Sequence, residues 1–180
     1  MDTMQYTHLY RSPLGTITLA ADSEGLTGLW FEGQKYFAAT LDAQHEETML
    51  PIFEQTRRWL DNYFGGNDPG PTPPLHLQGS PFRLAVWEIL RQIPFGKTIP
   101  YGEIARKIAR RQGSKTVPAQ AVGGAVGHNP VSIIVPCHRV VGSNGSLTGY
   151  AGGIERKVRL LALEKADMTG LFAPQKGTAL

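Results

Sequence analysis

Residues 65–74 read GGNDPGPTPP, three glycines and four prolines in ten residues. No helix or central strand runs through such a stretch, because proline removes a backbone donor and glycine weakens either element. The chain is divided there, and its charge divides with it. Residues 1–78 hold 4 Lys/Arg against 10 Asp/Glu, a net of −6, while residues 79–180 hold 14 against 5, a net of +9. The sequence therefore predicts an N-terminal domain over 1–78, a second domain over 79–167, and a flexible tail over 168–180. The basic half calls for an anionic partner. Nucleic acid is the leading candidate, and an uneven solubilising charge is the other reading.

Before the break, QYTHLYR, TITLAAD and LTGLWFE alternate as strands around turn signals at Ser12-Pro13-Leu14-Gly15 and Ser23-Glu24-Gly25. They predict a small antiparallel sheet. Residues 47–64 carry Met49, Ile52, Phe53, Trp59, Leu60 and Tyr63 at helical spacing, ended by Gly65 and Gly66. Beyond the break, Ser80 and Pro81 open a helix with Phe82, Val86, Ile89, Leu90 and Ile93 on its core face. The fold class is α/β, a small sheet with a helix followed by a mainly helical domain.

YGEIARKIARR (101–111), the break QGSKTV, and AQAVGGAVG opened by Pro118 have the layout of a helix-turn-helix. Arg106, Lys107, Arg110, Arg111 and Lys115 form a positive cluster able to meet phosphates. The second helix is nearly all Ala, Val and Gly, so it is a poor reader of base edges in a wide groove. Its small residues permit close approach in a narrow groove, or else simply tight helix packing. The DNA-facing set expected from this region is Arg110, Arg111, Ala119, Gly123 and Gly124, with Arg139 added from the motif below and Gln120 from the resemblance that follows it.

The run IIVPCHRVVG (133–142) holds the one cysteine of the chain. A lone cysteine excludes an internal disulfide and points to a reducing, cytoplasmic setting. The five histidines lack metal-ligand spacing, no window nears the roughly 20 apolar residues of a membrane span, and the N-terminus lacks a signal-peptide layout. No metal, cofactor or membrane is expected. Most such cysteines are small buried hydrophobes. Here a strand over Val131–Val135 that stops at Pro136 would put Cys137 at the start of a turn, where backbone N–H groups, His138 and Arg139 favour a thiolate.

The run NPVSIIVPCHRVVG (129–142), with GSLTGYAGG (145–153) after it, resembles the active-site signature of the O6-alkylguanine-DNA alkyltransferases, also called methylated-DNA–protein-cysteine methyltransferases. The likeness covers Ser80 to Glu164 closely and the first domain more loosely, where the family carries a ribonuclease-H-like sheet. It implies a monomeric DNA-repair protein that moves an alkyl group from O6 of guanine, and less well from O4 of thymine, irreversibly onto its own cysteine. Duplex DNA holding O6-alkylguanine would be the partner. By the resemblance, Cys137 is the acceptor, His138 removes its proton through a water, and Glu164 orients that histidine. Asn129 braces the active-site turn, and the Tyr101 hydroxyl protonates the departing guanine. Tyr150 with Ala151, Gly152 and Gly153 surrounds the extruded base, and the Val140 carbonyl accepts from the guanine amine.

The chain departs from the family at Gln120, where an arginine usually fills the gap left by the extruded base, and at His128, where some members carry another arginine. The cysteines of the zinc site found in some relatives are absent. Two other readings stand beside the resemblance. One is a binding-only relative, which would lack the cysteine. The other is a cysteine hydrolase using Cys137, His138 and Glu164, which would need an oxyanion hole and would leave the basic helix pair without a purpose.

Overall fold

The computed structural model describes residues 4–174. The chain forms two compact units, one holding residues up to Gln78 together with Pro130–Ile134, the other holding Gly79–Asn129 and the chain from Val135 onward.

The first unit is built on a meander of β1 (Gln5–Ser12), β2 (Gly15–Ala21) and β3 (Leu26–Phe31). Its turns follow from their residues. Gly15 adopts φ 120°, and Ser12 caps the turn through Oγ, which accepts from Leu14 N–H at 3.1 Å. Asp22 accepts from Glu24 N–H and Gly25 N–H at the second turn. A fourth strand, β4 (His45–Glu47), pairs parallel to β1, giving the order β3-β2-β1-β4 and a mixed sheet rather than a purely antiparallel one.

That pairing also corrects the helix start. Residues 45–47 are drawn into the sheet, Met49 is exposed, and α1 runs Pro51–Phe64 with its proline in the first turn, where no donor is needed. Phe53, Trp59, Leu60 and Tyr63 are its buried stripe. The Gly/Pro segment is not a free tether. Trp59 Nε1–H donates to Gly70 O, and Pro74 to His76 pair with Leu26.

In the second unit α2 (Pro81–Arg91) is capped by Ser80, whose Oγ accepts from Arg83 N–H at 3.2 Å. Next come β5 (Ile99–Pro100), α3 (Tyr101–Gln112) and α4 (Ala119–Gly127). Gly113 ends α3 in the left-handed region, at φ 67°, and Ser114 N–H returns to Ala109 O at 3.0 Å. The helix-turn-helix is thus α3, a six-residue break, and α4. The orphan carbonyls at the end of α4 are met individually. Ala125 O accepts from the Trp87 indole at 2.8 Å, and Gly124 O accepts from both the backbone N–H and the Nδ1 of His128.

A short β6 (Val140–Val141) pairs parallel with β5, and α5 runs Ile154–Leu163. Val141, Leu147, Leu161 and Ala166 form a core cluster with Val158, Met168 and Leu171 packed on it. The predicted tail therefore needs correction over its first part. Leu147 N–H donates to Phe172 O and Phe172 N–H to Gly145 O, so the chain stays attached through residue 172. Residues 175–180 lie outside the described residues. Among the described residues no helix is long and apolar enough to cross a membrane.

The indole bond to α4 yields a test. Trp87→Phe keeps most of the buried ring but leaves Ala125 O without its donor, and should lower stability by about 1–3 kcal/mol. Urea denaturation monitored by circular dichroism measures it, and an unchanged midpoint would contradict the role.

Candidate active site

The β-branched run before the cysteine does not form a strand. Val131 alone pairs, in a single bridge to Leu29. Ile134 N–H then closes on Ser132 O at 2.8 Å around Ile133 at φ 71°, a γ-turn of the rare, strained hand that costs about 1–3 kcal/mol for such a residue. A second, relaxed γ-turn follows. Pro136 sits at φ −83°, ψ 66°, and Cys137 N–H reaches Val135 O at 2.8 Å. Asn129 Nδ2 donates to Val135 O at 2.7 Å, tying together the two points at which the chain leaves and rejoins the second unit.

Cys137–Arg139 form one turn of 3-10 helix, and all three residues are buried. Beside them Glu164, the residue that ends α5, has no exposed side-chain surface. Its Oε2 accepts from His138 Nε2 at 2.5 Å, and its Oε1 accepts from Arg139 Nε at 2.8 Å and Gly96 N–H at 2.9 Å. Burial would raise this carboxyl, but the hydrogen bonds and charges of His138 and Arg139 outweigh it and hold Glu164 well below the usual range. An ionised carboxylate only accepts, so Nε2 of His138 carries hydrogen and Nδ1 is the nitrogen that gains or loses a proton. Burial pushes His138 down; Glu164 pulls up, while Arg139 and Lys157 push down.

The expectation that local structure favours a thiolate is corrected here. Burial dominates and raises the Cys137 thiol, and the Asn129 amide, the Lys157 charge and two backbone N–H groups offset it only in part. Burial thus favours the protonated thiol over the thiolate at Cys137.

Tyr101 opens α3 with its hydroxyl 3.3 Å from the carbonyls of Thr148 and Gly149. Burial first, and then any negative charge formed on the Cys137 sulfur, push this phenol up, so it keeps its proton. Tyr150 is buried with its ring edge-on to His138, at 6.3 Å between centroids. A Cβ on Gly152 would strike the Tyr150 ring at 2.5 Å, and Gly153 takes φ 93° to enter α5, so the turn Ala151-Gly152-Gly153 needs its glycines. Val140 O accepts from a group the sequence reading missed, Lys157.

Lys157 is fully buried on α5, with Nζ donating to Val140 O and to Thr148 O at 3.0 Å. Burial pushes its pKa down to about 8, with Cys137 pulling it back up. Its signal was legible: Lys157, Leu160, Leu161 and Glu164 fall at the spacing of one helix face, which makes Lys157 an inward-facing charge.

Of the predicted DNA-facing residues, Arg110, Arg111, Ala119 and Gln120 are exposed. Two others need correction. Gly123 is buried in the packed side of α4, whereas Gly124 is partly exposed with open space where a Cβ would stand. Arg139 is 8% exposed, its guanidinium bound to Glu164 and, through NH1, to Ile93 O at 2.7 Å, so it faces inward and not toward DNA. In the first unit, Asp22, Glu24 and His76 are the one grouping of metal-capable side chains among the described residues. Both imidazole nitrogens already face carboxylates, Asp22 at 2.5 Å and Glu24 at 3.1 Å, which accounts for the cluster as a side-chain network closed on itself.

Known proteins align with both units. The profile of the 6-O-methylguanine DNA methyltransferase DNA binding domain matches residues 81–166, and that of the ribonuclease-like domain of the same protein matches residues 5–75. A methylated-DNA–protein-cysteine methyltransferase of Haemophilus influenzae is 41% identical over 166 residues, 92% of this chain and 88% of the relative. One from Methanosarcina acetivorans is 42% identical over 161 residues, 88% of this chain and 97% of the relative. The crystal structure of Mycobacterium tuberculosis OGT in complex with DNA superposes with a TM-score of 0.77 at 40% identity, covering 93% of this chain and 99% of that one.

The buried His138 and Glu164 set an acid limit on stability. His138 is pushed below its ordinary 6.5 and Glu164 below its ordinary 4.5, so the unfolded chain binds more protons at both steps. The contribution of these two groups is full above 6.5 and declines as pH falls through 6.5 and then 4.5. In Glu164→Gln the lower step should shrink. Urea midpoints at about pH 7, 5.5 and 4 check this, and equal losses in the two proteins below pH 5 would rule it out.

Proposed function

This chain belongs to the 6-O-methylguanine DNA methyltransferase family, and from that premise we propose that Cys137 takes an alkyl group from O6 of guanine in duplex DNA and keeps it. The activity is that of a methylated-DNA–protein-cysteine methyltransferase, a DNA-repair transferase. The observation that carries the residue assignment is the buried Cys137 thiol beside a His138–Glu164 pair with no exposed side-chain surface.

The reaction follows from these groups. The target atom lies within a base pair, so the nucleotide rotates out of the stack into the protein. The Cys137 proton passes to His138 Nδ1 through a water, and its electrons remain on sulfur. The sulfur forms a bond to the alkyl carbon as the carbon–O6 bond breaks. That electron pair passes into the guanine ring, and Tyr101, whose phenol has kept its proton, donates it to the ring. Tyr150 and the Ala151-Gly152-Gly153 turn wall the base, and the second lone pair of Val140 O accepts from the guanine amine. The product is a thioether with no leaving group, so each chain reacts once. O4-alkylthymine is the poorer substrate.

The DNA-facing surface combines α3, with Arg110 and Arg111 exposed near its end, and the outward row of α4, Ala119, Gln120 and Gly124. Arginines there meet phosphates, and the small residues allow close approach in the minor groove. The protein acts as a monomer without a cofactor, in the reducing cytoplasm, where its one thiol stays usable.

Intact mass after incubation with an O6-methylguanine oligonucleotide tests the central reading. The wild type should gain one methyl per chain and stop, and Cys137→Ser should bind the same duplex and gain none. Continued turnover, or methylation of the serine variant, would overturn it.

Gln120 supports the extruded nucleotide in this scheme. Unstacking a base costs a few kcal/mol, so Gln120→Ala should slow transfer from duplex DNA by about tenfold or more. Free O6-alkylguanine needs no extrusion and should react at the wild-type rate. Single-turnover kinetics on both substrates decide the matter. Equal duplex rates would remove Gln120 from the role.

A further inference from the structure

Arg139 follows the reactive pair directly, yet its guanidinium turns inward. Nε holds Glu164 Oε1 at 2.8 Å, NH1 holds Ile93 O at 2.7 Å, and the cation stands 5.8 Å from the centre of the Phe95 ring. Gly96 N–H, from the same segment, gives Oε1 its second bond at 2.9 Å. The carboxylate is therefore clamped on one oxygen and presents the other to His138 Nε2.

We propose that Arg139 is a positioning residue for the proton relay: by neutralising and fixing Glu164 it keeps His138 uncharged and able to accept the Cys137 proton. This rests on the alkyl-transfer reading and deepens it.

Burial is the first cause that keeps the imidazole uncharged, and the charges around it decide how far the Glu164 anion offsets that burial. Glu164 faces it from the end of α5, Lys157 from within α5, and Arg139 and Cys137 from its own turn. The Tyr150 ring packs edge-on from the loop before α5. Glu164 is the single anion among them that favours an imidazolium, and at 2.5 Å it is close enough to impose one. Arg139 answers that anion directly, and Lys157 adds to the same side. With Arg139 removed, His138 is the one charged partner left to Glu164, beside the neutral Gly96 N–H. The imidazole then takes a proton from solvent and has no lone pair left for the thiol. Proton transfer from Sγ to Nδ1 leaves the electron pair on sulfur and creates an imidazolium for one step only, balanced by Glu164. A residue acting in this way moves the pH dependence of the reaction, which a purely structural arginine would not.

The test is single-turnover methyl transfer against pH for the wild type, Arg139→Lys and Arg139→Met, with melting curves to establish folding. Arg139→Met should shift the acid limb of the rate upward by about one pH unit or more and slow transfer near neutrality by about tenfold, with recovery at higher pH. Arg139→Lys retains the charge and should keep its limb near that of the wild type. A folded Arg139→Met whose profile overlays the wild type overturns the proposal. Should Arg139→Met not fold, nitrogen-15 histidine spectra of the wild type decide. A neutral His138 with hydrogen on Nε2 well below its ordinary 6.5 supports the proposal, and an imidazolium at neutral pH overturns it. A wild type that never gains a methyl group would instead refute the transfer reading, and the spectra would still judge Arg139.

Discussion

A buried carboxylate survives in a protein only where its charge and lone pairs are matched, because the uncompensated ion costs several kcal/mol. Glu164 is matched by three donors drawn from two stretches of the second unit: Gly96 from the segment after α2, and His138 and Arg139 from the turn that carries the cysteine. The glutamate itself ends α5. The bonds that hold these elements to one another are thus the bonds that orient the imidazole. Chemistry and fold share one network here, so loosening any member acts on both. For that reason stability and transfer rate must be measured together in every variant of these residues.

The state of the sulfur follows from the same packing. A thiolate held ready in an open site is quick, but it also reacts with oxidants and stray electrophiles. For a protein whose acceptor is used once, each such event removes a molecule. Burial favours a protonated, nearly inaccessible Cys137 at rest, and the dry surroundings raise the thiol rather than lower it. Reactivity then depends on a proton acceptor, a role that the Nδ1 edge of His138 fits. The Lys157 charge, fixed on two carbonyls, makes the ionised sulfur less costly at the moment it forms.

Much of this was legible in the sequence, and the failures have physical causes. Turn signals at Ser12–Gly15 and Ser23–Gly25 located the meander, because those turns are set by local residues, Asp22 among them. The start of α1 was misplaced because a sheet partner, which helical periodicity does not register, claimed residues 45–47. Val131–Val135 has strand propensity, but two γ-turns at Ile133 and Pro136 override it, and only tertiary structure pays for a β-branched residue at positive φ. Cys137, His138, Glu164, Asn129, Tyr101, Val140 and Tyr150 are all brought into one region of the second unit. Arg139 was misread because sequence gives a residue's place in a motif but not the direction of its side chain.

The second helix of the pair shows how one composition serves two demands. Val122, Gly123, Ala125, Val126 and Gly127 are buried. Gly124 is not among them. It is partly exposed, and no protein atom stands within 4 Å of where its Cβ would be, so alanine would fit. A glycine inside a helix costs about 1 kcal/mol relative to alanine. Gly124 lies one turn after Gln120 and one turn before His128, on the face left uncovered by α2 and α3. In the proposed complex that row faces the minor groove, where a missing methyl group lets the helix backbone come closer to the strand. The sequence posed packing and groove approach as alternatives for this helix. The two adjacent glycines divide between them, Gly123 buried on the packed side of the helix and Gly124 partly exposed on the row proposed to face DNA.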